Sequence, residues 1–180
     1  MIRATGPGDA VALAEIYADA VRHGLGTFEE EPPLPSEMEA RRARATAFGL
    51  PHVVAERDGR VLGFAYASPF RPRPAYRFTA EDTVYVHPAA KGQGVGRELL
   101  SAVIDDCGAL GLRRLVALVG DSGNTASIRL HEALGFERAG VLPAVGFKHG
   151  RWVDVVWLQR ELNGGAQSMP DAEGLVLRET

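Results

Sequence analysis

Residues 91–96 read Lys-Gly-Gln-Gly-Val-Gly and stand between two contrasting segments. Before them runs Thr83-Val84-Tyr85-Val86-His87-Pro88, an apolar extended stretch closed by proline. After them Val95, Leu99, Val103, Ile104, Cys107 and Leu110 recur at three- and four-residue intervals, which marks a helix with one apolar stripe facing a sheet. Strand, glycine loop and helix in that order present unpaired amides and the positive end of a helix dipole to an anion, and glycines let the anion approach. Two familiar phosphate loops do not fit: no Gly-Lys-Ser/Thr closes the run, and its third glycine comes one residue too early for G-x-G-x-x-G.

The rest of the chain supplies a mixed sheet. Ile2-Arg3-Ala4 is expected as a short strand, and Asp9 as the cap of a helix bearing Val11, Leu13, Ile16, Tyr17 and Val21. A long irregular segment follows at 24–33, then a second, largely exposed helix from Ser36. The clearest hairpin pairs residues 52–56 with 61–67 across Asp58-Gly59. A third strand is expected over 77–87, another over 114–119, a helix over 124–134, and final strands over 135–141 and 152–158. Residues 1–162 form one domain in this scheme, and 163–180 an extension that is mobile or docked at a dimer interface.

Composition narrows the function. With 180 residues, 46% of them hydrophobic, the chain suits one globular core. A net charge of -3 offers no basic field for nucleic acid or an anionic membrane, so a small-molecule substrate is expected. Cys107, the single cysteine, excludes an internal disulfide, and no apolar run is long enough to span a bilayer or direct export, which points to the cytoplasm.

The strand ending at His87-Pro88 followed by Lys91-x-x-Gly94-x-Gly96 resembles the acetyl-CoA pyrophosphate loop of GNAT acetyltransferases. Asn124-Thr125-Ala126-Ser127 with Leu130-His131-Glu132-Ala133-Leu134-Gly135-Phe136 resembles their second cofactor motif. Closer similarity, over residues 2–162, is to the phosphinothricin and methionine sulfoximine or sulfone N-acetyltransferases. It is carried by Thr27-Phe28-Glu29, Gly63-Phe64-Ala65-Tyr66-Ala67, Ala75-Tyr76-Arg77-Phe78-Thr79-Ala80-Glu81 and Gly146-Phe147-Lys148-His149-Gly150-Arg151-Trp152. The resemblance implies an α/β (α+β) GNAT fold: a mixed, mostly antiparallel sheet, splayed after the fourth strand and flanked by helices. It also implies a homodimer, acetyl-CoA as co-substrate, and no metal.

The same resemblance distributes roles. Glu81 matches the catalytic carboxylate, which takes a proton from the acceptor amine directly or through water. His131 stands where many family members carry a tyrosine acid, and fits either a neutral base or an imidazolium donor to the departing thiolate. Val84, Tyr85 and Val86 would pair with pantetheine, Lys91, Gly92, Gln93, Gly94, Val95, Gly96 and Arg97 would hold pyrophosphate, and Asn124 and Ser127 would lie along the same arm. Lys91 departs from the usual Arg or Gln, so the amides of 93–97 are the expected contacts. For the acceptor, the resemblance points to Phe28, Glu29, Arg73, Ala75, Tyr76 and Arg77, with Lys148 and His149 adding charge. Two other functions use the same cleft: protein N-terminal or lysine acetylation, disfavoured by the arginines at 71 and 73, and noncatalytic acyl-CoA sensing, disfavoured by Glu81 with His131.

Overall fold

In the computed structural model, which describes residues 1–177, a seven-stranded sheet runs in the order β1-β2-β3-β4-β5-β7-β6. The strands are β1 Ile2–Ala4, β2 His52–Arg57, β3 Arg60–Pro69, β4 Thr79–Val86, β5 Arg114–Gly120, β6 Glu137–Lys148 and β7 Arg151–Glu161. The helices are α1 Ala10–His23, α2 Pro35–Ala47, α3 Val95–Ala109 and α4 Thr125–Ala133. All neighbouring strands are antiparallel except β4 and β5, which pair in parallel.

Helices cover both faces. On one, Leu13, Ile16, Tyr17 and Val21 of α1 and Met38 of α2 pack on Val54 and Phe64. On the other, the α3 stripe from Val95 through Leu99, Val103 and Ile104 to Cys107 is buried against Ala65, Ala80, Leu115 and Leu158. Burial pushes the Cys107 thiol up to about 12, so it remains a neutral packing group. Leu110 falls beyond the end of α3 and is exposed.

Several local expectations needed the tertiary contacts to settle. Asp9 does not cap α1 with its side chain; its carboxylate accepts the Gly6 N–H at 2.8 Å and a forked pair from Arg3, both at 2.8 Å. The α2 helix buries Met38 and Ala45. Residues 74–76 make a 3-10 turn, so β4 starts at Thr79. Strand β6 continues past Val141 to Lys148 because a bulge absorbs Pro143, which has no N–H to give the ladder. There Ala144 adopts φ +51° and its N–H goes to Asp154 at 2.9 Å.

The chain beyond β7 lies back across its own domain. Asn163 Nδ2 donates to the carbonyls of Gly108 and Leu112, and Arg113 donates to Ser168 and Met169. The Leu175 N–H reaches the Arg77 carbonyl at 2.8 Å, and the Leu175 side chain joins the core under α3. Residues 178–180 of the expected extension lie outside the described residues. Among the described residues no helix is long and apolar enough to cross a membrane.

Candidate active site

The functional geometry follows from one interruption in the sheet. Strands β4 and β5 pair only through Thr79, Ala80 and Glu81 against Arg114, Leu115 and Val116. Beyond Glu81 they diverge, and the wedge between them opens into a cleft of about 1020 Å³. Its walls are residues 81–86 of β4, Ala117–Gly120 of β5, the glycine loop, the start of α4 and the 24–28 loop.

At one end the glycine loop is shaped by backbone conformations that only glycine adopts easily. Gly92 and Gly94 have φ of +76° and +81°, and Gly94 is the residue before α3. The first amides of α3 have no acceptor within the helix, and their residues Val95, Gly96 and Arg97 line the cleft. Gly96 lets α3 approach α4, since a β-carbon there would stand 3.2 Å from Leu130 Cδ2. Lys91, Gly92, Gly94, Val95, Gly96 and Arg97 line the cleft, but Gln93 turns back and donates to the Ala89 carbonyl at 2.8 Å. Asn124 caps α4 by accepting the Ser127 N–H at 3.3 Å, and both residues line the cleft with Val84, Tyr85 and Val86.

Glu81 stands at the apex of the wedge. Burial raises its carboxyl above the ordinary value, the neighbouring Asp82 charge adds to that, and the field of Arg71 opposes it. Such a carboxylate takes up a proton more readily than a solvated one. Phe28 forms the outer wall, its ring seated on Gly146, and Gly120 lets Leu25 and Gly26 lie across the end of β5.

His131 lines the same cleft, yet both ring nitrogens are engaged: Nδ1 with the Ser127 carbonyl at 2.7 Å and Nε2 with Asp82 Oδ2 at 3.0 Å. Where an acid or base open to the cleft was expected, both ring nitrogens of His131 meet protein atoms in this structure. Burial disfavours charge on the ring, but the hydrogen bond and attraction of Asp82, with the Ser127 carbonyl, outweigh it and raise the imidazole above its ordinary value.

Other expected acceptor contacts are spoken for. Glu29 accepts two hydrogen bonds from Arg41, at 2.7 and 3.0 Å, and one from the Tyr17 hydroxyl at 2.8 Å. Burial alone would raise Glu29; these donors overcome it and hold the carboxyl low. Lys148 is 1% exposed and donates from Nζ to the Thr27 carbonyl at 2.8 Å, so it braces the Phe28 loop from beneath. Arg73, Ala75 and His149 are exposed and lie outside the cleft wall. So do Tyr76, edge-on to Phe70, and Arg77, which stacks on Phe78 beside Gly174. Among the described residues no cluster of His, Cys, Asp or Glu has metal-binding geometry.

Residues 12–136 match the model of the Acetyltransferase (GNAT) family. The chain belongs to the GNAT family. Its fold matches the crystal structure of a GNAT superfamily phosphinothricin acetyltransferase from Sinorhizobium meliloti in complex with AcCoA. The TM-score is 0.93 at 44% identity, over 98% of this chain and 95% of that one. It is 55% identical to a phosphinothricin N-acetyltransferase of Alcaligenes faecalis, over 94% of this chain and 86% of the relative. It is 39% identical to an L-methionine sulfoximine/L-methionine sulfone acetyltransferase of Salmonella typhimurium, over 95% and 98%. This GNAT chain is an acetyl-CoA-dependent N-acetyltransferase.

Proposed function

We propose that the enzyme acetylates the α-amino group of a small amino-acid-like molecule carrying an oxyanion or sulfone, such as phosphinothricin, methionine sulfoximine or methionine sulfone. The observation that carries the mechanism is the Glu81 carboxyl, raised by burial, at the point where β4 leaves β5. Bound in the cleft, acetyl-CoA supplies an acetyl group already activated as a thioester. An amino acid arrives as an ammonium, and Glu81 takes its proton, directly or through one water, leaving a lone pair that attacks the thioester carbonyl carbon; the C–S bond then breaks, and the CoA thiolate takes up the second amine proton directly or through water. The amides of β4 that its lost pairing with β5 exposes are suited to the developing oxyanion.

The acceptor's anionic end is assigned to Arg71, which stands on a Pro-stiffened segment and whose field reaches Glu81. Phe70 fixes that segment by packing edge-on against Tyr76 and Trp157, and Arg71 lies over the Phe70 ring at 4.3 Å. Guanidinium forks favour planar or tetrahedral oxyanions, which supports a phosphinate, carboxylate or sulfone over a basic peptide. The relatives named for phosphinothricin and methionine sulfoximine support the same acceptor class.

We further assign a homodimer to the exposed apolar surface along the β6–β7 hairpin. Val141, Leu142, Val145 and Phe147 of the edge strand β6 and Trp152 of β7 are 43–65% exposed.

The test is release of CoA thiol from acetyl-CoA with phosphinothricin, methionine sulfoximine, methionine sulfone, plain amino acids and a basic N-terminal peptide in parallel. Saturable release with the first three supports the assignment. Release with the peptide alone overturns the acceptor class, and tight acetyl-CoA binding without release to any acceptor overturns catalysis.

A further inference from the structure

Where the β4–β5 ladder stops, another connection begins. Glu81 is the last β4 residue paired with β5, and Asp82 is the next along the strand. Alternation turns Asp82 to the opposite face from Glu81, toward the α3 and α4 side, where a carboxylate has no place without a partner. Its partner is His131 of α4, Nε2 to Oδ2 3.0 Å, with side chains 3% and 1% exposed. His131 Nδ1 is fixed in turn by the Ser127 carbonyl at 2.7 Å, and the Phe136 ring closes edge-on at 5.0 Å.

The proton count follows from the acceptors. A carbonyl oxygen carries no proton, so Nδ1 must donate. Nε2 stands 3.0 Å from Asp82 Oδ2, a hydrogen bond only with a proton between them, and with that proton on the ring the pair is an imidazolium against a carboxylate. The other titratable groups close to the pair are Glu81, on the far face of β4, and the neutral Cys107 thiol on α3. Among the described residues Asp82 Oδ1, which is buried, has no hydrogen-bond partner, so Nε2 on Oδ2 is the contact that locates the carboxylate.

We propose that Asp82 and His131 are an ionised clasp that joins β4 to α4 across the gap in the sheet, and that Asp82 is thereby a positioning residue for Glu81. The clasp stands in for the missing ladder on the first residue of the wedge. It fixes how far β4 leans from the neighbouring wall and so where the Glu81 carboxyl points. Its protons are not passed to substrate, since each is committed to an acceptor inside the protein. The positioning role rests on Glu81 being the base; the charge on the ring does not.

The experiment is nitrogen NMR of full-length enzyme labelled with ¹⁵N-histidine, with the His131 signals identified by their loss in His131→Gln. In the wild type both His131 nitrogens are expected to carry protons at about pH 8, where an ordinary imidazole is neutral. In Asp82→Asn, Nε2 is expected to lose its proton and accept from the new amide. The kcat should fall about tenfold or more through misplacement of Glu81, with the KM for acetyl-CoA changed less than about threefold. A wild-type ring with an unprotonated Nε2 at that pH overturns the clasp, and that spectrum is decisive even if Asp82→Asn does not fold. A folded Asp82→Asn enzyme with unchanged kcat overturns the positioning role. Full activity in Glu81→Gln sinks the base instead and leaves the imidazole spectrum as it was, so the two readings fail separately.

Discussion

The Phe28 ring occupies the space where residue 146 would carry a side chain: a β-carbon on Gly146 would stand 1.9 Å from Phe28 Cε1. Phe28 is 41% exposed, so its ring can swing outward at little cost to folding. Gly146→Ala is therefore expected to displace the outer wall of the cleft while the protein stays folded. The KM for the acceptor should rise several-fold and the KM for acetyl-CoA should hold, because the glycine loop lies at the other end. Steady-state kinetics with each substrate varied separately check this, and an unchanged acceptor KM would remove Phe28 from the acceptor site.

Glu81→Gln keeps the size of the side chain and removes its basicity. A positioned base contributes about 10²–10⁴ in rate, so kcat/KM should fall within that range. In the wild type the base works when deprotonated, and burial places its pKa above 4.5. The rate should therefore rise with pH through that raised value, and the variant should lose this acid limb. Rate profiles of both proteins provide the measurement.

How far these residues announce themselves in the sequence depends on whether their partners are local. The Asp58-Gly59 turn was legible because both residues take positive φ, 51° and 72°, which is what that dipeptide favours between two strands. Asn124 was legible as a cap because the N–H it accepts, that of Ser127, lies within one turn. Glu29, in a run of three acidic residues, has the look of solvated loop until Arg41, twelve residues on, is folded against it. Lys148 precedes a turn and has the pattern of a surface cation, but its acceptor is the carbonyl of Thr27 from a distant loop. Asp82 carried a signal that alternation provides: beside a cleft-facing Glu81 it had to face the helices, and a carboxylate there demands a buried donor.

His131 also makes stability depend on pH. Its folded pKa lies above the unfolded value near 6.5, so its contribution is complete below that value and is lost as pH rises through the folded one. Thermal melts from about pH 6 upward should show a falling Tm that His131→Gln lacks. A wild-type Tm that climbed with pH across this window would reverse the assigned sign.

The β6–β7 hairpin gives a prediction about assembly. Phe147 and Trp152 meet edge-on at 5.3 Å and are 57% and 65% exposed. In a dimer, Phe147→Glu would bring a charge into an apolar interface. Sedimentation is expected to show the wild type as a dimer and the variant shifted toward monomer. A wild-type monomer at micromolar concentration would overturn the assignment.

Leu175 tests whether the C-terminal segment belongs to the folded domain. Its side chain is 7% exposed within the α3 core, and its N–H is bonded to the Arg77 carbonyl just before β4. The nearby Gly174, at φ +75°, permits the chain to pass against Arg77 and Phe78, where a β-carbon would stand 2.8 Å from the Arg77 carbonyl oxygen. Leu175→Ala removes buried methyl groups and should cost about 2–3 kcal/mol, the lower part of the usual range because a terminal segment can partly collapse into the space. For a chain of this length that is a fall in Tm of about 5–10 °C. The cleft lies at the opposite ends of β4 and β5, so kcat well below the new Tm should stay within twofold of wild type. A Tm unchanged by the substitution would mean that the segment does not hold this position in solution.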